Sequence, residues 1–405
     1  MLFVGIDWAE DHHDVCLMDD AGKKCTAFRI PDSLEGIETI HSAIADHADE
    51  TSDVVIGIET DHGLLARAMI ASGYQVYVIN PLSASRYRDR HTPSKAKSDT
   101  GDAAMLANIV RTDRQNHRPY VGNSDLSEAV KVLARSHHSL IWTRQRQLNQ
   151  LRATLRQFYP AALDAFENLG SPDAFAVLAA GPTPERGKRL TVHRIEKLLV
   201  AAGRKRRANV KAGEIHTVLH SAYAEAPPLL AEAYGDVVLA IVATCQTLTA
   251  QIAQLERKFA QSFDQHPDAN IILSLPGLGQ VLGARVLAEF GDAPNRFHDA
   301  KCRKNFAGTS PITRASGTKF VVLARYAKSA QVTETCQQWA FCALTGSPGA
   351  RALYTAQRAK GSTHRQAIRK VANRFVGVLH GCLRHRELYS EEHAWGHIAP
   401  LKESA

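Results

Sequence analysis

No two of the seven cysteines (Cys16, Cys25, Cys245, Cys302, Cys336, Cys342 and Cys382) stand in Cys-x-x-Cys spacing. Its absence argues against a structural zinc site, and the odd count against a disulfide framework, so reduced thiols used for packing are expected. Long apolar runs are missing too. Residues 237–244 are among the longest, and a bilayer needs about twenty. The opening MLFVGIDWAEDHHDV reaches charge within a few residues, unlike a signal peptide. The reading is a cytoplasmic chain with no membrane partner. The Gly-rich stretch Leu275-Pro276-Gly277-Leu278-Gly279 has no Gly-Lys-Ser/Thr after it, which rules out a Walker A loop. Its backbone N–H groups remain able to grip a phosphate.

The chain does carry charge, unevenly spread. Net charge is +8 and the pI about 9.1, which suits a polyanionic partner. Residues 1–61 are acidic, while residues 350–386 hold no Asp or Glu but nine Arg and Lys, among them Arg365, Arg369 and Lys370. The apolar positions Ile368, Val371, Phe375, Val378, Leu379 and Cys382 recur there at helical steps. One apolar and one basic face follow, the latter fit for phosphate backbones or simply for water.

Periodicity predicts strands at 2–7, 13–18, 24–30, 54–59 and 75–79. Helices are expected over 33–47, with Ser33 as cap, and over 63–72 and 99–111, with another opening at Asn80-Pro81. The order βββαβαβα is that of an RNase H-like mixed five-stranded sheet. Two long amphipathic stretches, 125–159 and 229–263, flank a polar connector containing Arg204-Lys205-Arg206-Arg207 and suggest an antiparallel helical pair or a coiled-coil arm. The fold class is therefore α/β plus α. Its expected divisions are residues 1–120 as a metal-binding domain, 121–265 as a helical linker region, 266–390 as a mostly helical C-terminal domain, and 391–405 as a tail.

Asp7 and Glu59 end what would be neighbouring strands, and Asp99 and Asp102 share one face at a helix start. Four acids converging in this way suit two Mg²⁺ ions acting on a phosphodiester. Taken singly, Asp7 is an ordinary turn residue, and Asp99 and Asp102 favour a helix dipole. Asp11, Asp14, Asp19, Asp20 and Asp61 read as solvated. Trp8-Ala9-Glu10-Asp11 after the first strand disfavours an actin-like ATPase, and Ala9 disfavours a proofreading-type exonuclease. Arg86, Arg88, Arg90, Lys95 and Lys97 surround Tyr87, a pattern suited to a phosphate backbone and a stacked base or to a charged surface loop. Residues 305–319 form a hydroxyl-rich loop flanked by Lys301, Arg303, Lys304, Arg314, Lys319 and Arg325. Ser316-Gly317 there reads as a turn, with no His–Asp partner for a hydrolase triad.

Together these segments resemble the DEDD-type insertion-sequence transposases associated with RNA-bridged recombination. The resemblance runs over nearly the whole chain. It is carried by Gly5-Ile6-Asp7, Gly57-Ile58-Glu59, Lys97-Ser98-Asp99-Thr100-Gly101-Asp102-Ala103, Pro276-Gly277-Leu278-Gly279, Ala307-Gly308 with Pro311, and Ser316-Gly317. It implies Asp7, Glu59, Asp99 and Asp102 as ligands for Mg²⁺ or Mn²⁺, and Ser316, preferred over Ser310, as a nucleophile forming a phosphoserine–DNA link. It also implies donor and target DNA, a structured noncoding RNA and a homodimer pairing into a tetramer as partners, with nucleoid association. The rivals are a two-metal Holliday-junction-type nuclease that never uses Ser316, and an inactive nucleic-acid-binding relative.

Overall fold

The structure is a computed structural model and describes residues 1–60, 63–91, 99–117, 119–224, 226–326 and 328–396, without the side chains of His91 and Asp99. The chain forms two compact units, Met1–Ser124 with Asp292–Arg296, and Asp125–Gly291 with Phe297–Ala405.

The first unit runs β1 (Leu2–Trp8), β2 (His12–Met18), β3 (Lys24–Pro31), α1 (Leu34–Ala45), β4 (Val54–Ile58), α2 (Leu64–Ala71), β5 (Gln75–Val78), α3 (Pro81–His91) and α4 (Asp99–Thr112). The strands form one sheet in the order β3-β2-β1-β4-β5. The β1–β2 and β2–β3 pairs are antiparallel, and β1–β4 and β4–β5 are parallel. This is the expected mixed five-stranded sheet. Strand alternation sends Leu2, Val4 and Ile6 into a core with α1 and α2, and Phe3 and Val55 into a second core with α4. Ser33 caps α1 by accepting a hydrogen bond from Gly36 N.

The second unit is built on a long helix pair, α5 (Asp125–Phe158) and α11 (Pro228–Asp264). Between them stand α6 (Pro160–Ala165), α7 (Pro172–Ala180), α8 (Pro184–Lys188), α9 (Val192–Ala201) and α10 (Ala208–Leu219). The segment read as a polar connector is thus a helical lobe with its own core, to which α5 gives Leu151, Leu155 and Phe158 and α11 gives Val238 and Ile241. Arg204 of the basic run pairs with Asp173. By length and composition α11 is long and apolar enough to cross a membrane, with a mean hydropathy of 1.5. Its first half contributes to the lobe core and its last turns, at Phe259 and Phe263, to another core, while 28% of its most apolar stretch is buried.

That other core is assembled by α12 (Ala269–Ser274), α13 (Gln280–Phe290), α14 (Ala300–Phe306), α15 (Ala330–Gly346), α16 (Pro348–Ala359), α17 (His364–His385) and α18 (Glu391–Trp395). Pro276-Gly277 serves packing: Trp339 Nε1 donates to Pro276 O at 2.9 Å. Gly277 has φ +79° and lies so close to α15 that a Cβ would come within 2.4 Å of Ala343 N. A two-stranded ribbon, β6 (Pro311–Ser316) and β7 (Lys319–Ala324), stands between α14 and α15. The hydroxyl-rich segment expected to be a loop is largely this hairpin.

Candidate functional site

Two glycines set the geometry of the acidic edge. Gly5 of β1 and Gly57 of β4 are register partners, and the pairing continues to Ile6 and Ile58. Asp7, still within β1, and Glu59, the residue just past β4, come next in the two chains, and alternation directs them to the same sheet face as the glycines. Helix α4 rests directly on that face. A Cβ on Gly5 would lie 1.9 Å from Ala103 O and 2.4 Å from Ala107 N, and one on Gly57 2.7 Å from Leu106 O. Any larger residue would lift the helix off the sheet. Near the far end of α4, Arg111 Nη1 donates to Asp20 O in the β2–β3 turn at 3.2 Å. The start of α4, with Asp99 and Asp102, is therefore directed to the carboxyl ends of β1 and β4, and its N-terminal dipole favours the negative charge gathered there.

Asp102 is 4% exposed and accepts a hydrogen bond from Arg88 Nη2 at 2.6 Å. Asp7 and Glu59 are half-buried, and the Asp99 side chain lies outside the described residues. Among the described residues no three His, Cys, Asp or Glu form a group that could hold a metal. The donors at this edge are carboxylate oxygens on adjoining elements, a set that suits Mg²⁺ or Mn²⁺ and not zinc. One further acid belongs to the same face. Asp14 is the cross-strand partner of Asp7, is buried, and pairs with Arg29 at 2.8 Å. The sequence reading placed it among solvated acids, but strand register, which sets directly opposed residues about 5 Å apart, brings it to Asp7.

The basic cluster before α4 divides. Arg86, Tyr87, Arg88 and Arg90 are on α3, whereas Lys95 and Lys97 lie outside the described residues. Tyr87 packs against the core beneath α4, and its hydroxyl shares a 3.0 Å hydrogen bond with Thr112, so its ring is built into the fold. Arg86 and Arg90 are exposed.

In the second unit Ser316 ends β6, opposite Lys319, across the two-residue turn Gly317-Thr318. Gly317 has φ +54°, the left-handed value that favours glycine at the first central position of a tight hairpin turn. Both strands are largely solvent-exposed, Phe320 by 70%, along with Arg314, Ser316 and Lys319. Ser310 sits at the hairpin's root, where its hydroxyl and that of Thr309 donate to Asn373 Oδ1 at 3.4 and 3.1 Å. One serine is thus tied down and the other presented at a tip.

The remaining basic positions differ in environment. Arg303 is buried with its guanidinium over the Phe290 and Phe297 rings, 5.4 and 4.6 Å from their centroids, a cation–π role inside the core. Arg325 donates to Asn305 Oδ1 at 3.0 Å, and Lys370 to Ser362 Oγ at 3.2 Å. Lys301 and Arg365 are exposed, and Lys304 and Arg369 half-buried. Residues 300–386 contain sixteen Arg and Lys and a single acid, Glu334, so this stretch of chain carries a large positive excess.

Two family models match the chain. One, a transposase model of the DEDD IS110 type, covers residues 4–160, and the other, described as transposase IS116/IS110/IS902 family, covers residues 269–355. The chain is 42% identical to the mini-circle transposase assigned to IS117 in Streptomyces coelicolor, over 100% of this chain and 98% of that one. It is 26% identical to the 43.6 kDa protein of insertion element IS110 from the same organism, over 96% and 95%. It is 25% identical to the 42 kDa protein of IS900 from Mycobacterium paratuberculosis, over 96% and 97%. With a relative this similar along its full length, the chain belongs to the IS110 family of insertion-sequence transposases.

Proposed function

We propose that this transposase recombines DNA with a metal-assisted acidic edge and a serine nucleophile. The observation that carries this reading is the Gly5–Gly57 pair beneath α4, which sets Asp7 and Glu59 together at one sheet edge with the start of α4 directed to it. In our reading the sheet is RNase H-like, and Asp7, Glu59, Asp102 and Asp99 would hold Mg²⁺, with Mn²⁺ as a substitute. When bound, the metal polarises the scissile phosphate and neutralises charge on the attacking and leaving oxygens.

Ser316 Oγ then attacks phosphorus. An O–P bond forms, the P–O3′ bond breaks, and the proton given up by the hydroxyl is balanced by the one gained by the departing 3′-oxygen. A strand's 3′-hydroxyl later reverses the step, so the phosphodiester energy is conserved in the phosphoserine link. Arg314 and Lys319, beside Ser316 on the ribbon, would hold flanking phosphates. Ser310 is the less accessible candidate, half-buried at the ribbon's root beside Asn373, while Ser316 is exposed at its tip. The resemblance adds a structured RNA that selects donor and target DNA, and a homodimer pairing into a tetramer.

The test is a labelled DNA junction incubated with the protein, RNA from the flanking element and Mg²⁺, beside Ser316→Ala and Asp7→Ala. A denaturation-resistant protein–DNA adduct that vanishes in both variants is expected. Nicked DNA without an adduct, unchanged in Ser316→Ala and absent in Asp7→Ala, would overturn the serine step and leave a two-metal nuclease.

A further inference from the structure

Beside the root of the ribbon, α14, α17 and the segment leading into α18 enclose a cavity of about 350 Å³. Its formal charges are Lys304 and Arg374 against a single acid, Glu387, and His385 and His393 complete the polar lining. Lys304 reaches across from α14 and lies on Gly377 of α17, where a Cβ would come within 2.6 Å of Cε and 2.8 Å of Nζ. The ammonium is half-buried, and no hydrogen bond or ion pair engages it among the described residues. Burial, and secondarily Arg374, press its pKa below the ordinary lysine value. Arg374 donates to the Ala394 carbonyl oxygen and lies over the Trp395 ring, and holding the unpaired Lys304 ammonium beside it in a partly dry recess opposes folding. Gly381, one turn further along α17, also lines the cavity, and a Cβ there would meet nothing within 4 Å. A glycine in a helix interior costs stability relative to alanine, and packing does not require this one.

We propose that the cavity binds a backbone phosphate of nucleic acid, with Lys304 and Arg374 as its counter-charges and Gly377 and Gly381 leaving room for the phosphate and its sugar. The polymer is identified by the setting. Most of the recess is lined from residues 300–386, which carry sixteen basic residues and one acid, and the rest from residues 387–394, and Asn373, next to Arg374, anchors the start of the ribbon through Thr309 and Ser310. At a strand rise of about 3.3 Å per residue, Ser316 stands roughly 17 Å along the ribbon from Pro311. A strand presented to the ribbon can therefore be held at its root while its reacting phosphate is at the tip. The polymer's identity rests on the recombinase reading; the chemistry of the recess does not.

Two variants of the full chain test this, Lys304→Met and Gly381→Leu. Thermal unfolding is followed in inorganic phosphate and in chloride at matched ionic strength, and binding of a labelled DNA 20-mer and of the RNA of the same sequence is titrated at several salt concentrations. Phosphate should raise Tm in the wild type only. Both variants should melt at or above the wild-type Tm in chloride, since one removes an unpaired half-buried charge and the other removes a helix glycine. Affinity should fall roughly tenfold, as for loss of a charge-assisted contact, and the slope of log K against log salt should shrink by about 0.7–0.9, one phosphate's share. A loss confined to DNA or to RNA names the strand that occupies the recess. A lower Tm in Lys304→Met with unchanged affinity, or equal stabilisation by phosphate in all three proteins, overturns the proposal. Adduct formation by Ser316 is read separately, so failure of the serine step leaves these outcomes intact.

Discussion

Arg88 of α3 clasps Asp102 of α4 at 2.6 Å, and Asp102 is almost wholly buried. The guanidinium supplies the charge that a cation at the acidic edge would supply. Removing one partner of a buried pair leaves the other uncompensated. Arg88→Met should therefore destabilise the first unit by about 3 kcal/mol without metal, and Mg²⁺ should restore more stability to the variant than to the wild type. Urea unfolding with EDTA and with Mg²⁺ measures both; equal Mg²⁺ responses would dissociate Asp102 from the metal.

The glycine pair makes a steric prediction. Gly5→Ala drives a Cβ into the backbone of α4, 1.9 Å from Ala103 O, and neither backbone can yield without separating helix from sheet. A loss of about 3 kcal/mol is expected, the upper end for overpacking. Gly213→Ala, inside α10 with open space around it, should instead gain about 0.5–1 kcal/mol. Denaturant midpoints of the two variants should move in opposite directions.

Acid should weaken the second unit through two histidines. Burial lowers the pKa of His137, with Arg285 and His138 adding to the effect and Glu256 opposing it. Burial lowers that of His380 as well, with Arg303, Arg384 and His385 in the same sense and Asp299 against. The unfolded chain protonates these imidazoles below about pH 6.5 while the folded chain still excludes the proton. Stability is thus complete above that value, and falls as pH drops towards the lowered folded values. Neither ring nitrogen of His380 has a hydrogen-bond partner among the described residues, so His380→Leu should stabilise the unit by about 1–2 kcal/mol and flatten the slope between pH 7 and 5. A slope unchanged by that substitution would remove His380 from the account.

The two serines separate by their neighbours. Ser310→Ala loses a hydrogen bond to Asn373 worth about 1 kcal/mol and should still form the DNA adduct, while Ser316→Ala should form none. Adduct yield on denaturing gels decides, and loss in Ser310→Ala alone would exchange their roles.

Much of the first unit was legible because its strands announce their faces. Gly-Ile-Asp and Gly-Ile-Glu at the ends of apolar runs placed Asp7 and Glu59 before any coordinates. Asp14 was not, since only register against β1 reveals its face. The ribbon escaped for a different reason: Phe320–Ala324 is a continuous apolar run, which reads as buried, yet it is exposed on both sides. The lobe between α5 and α11 was missed because its helices span only 5–12 residues, too few turns for a clear period. Arg303 and Tyr87 sat in sequence patterns suited to nucleic acid, and their packing depends on rings and hydroxyls contributed by distant elements.

Among the described residues the lobe packs chiefly on α5 and α11, which also run into the serine-bearing core. Lengthening or trimming a turn between α6 and α10 leaves the register of that pair untouched. One residue inserted midway along α5 would swing everything beyond it by about 100° and unseat the lobe from its partner helix. Drift among relatives should therefore accumulate as gaps in the lobe's turns, while the two long helices keep their length residue for residue.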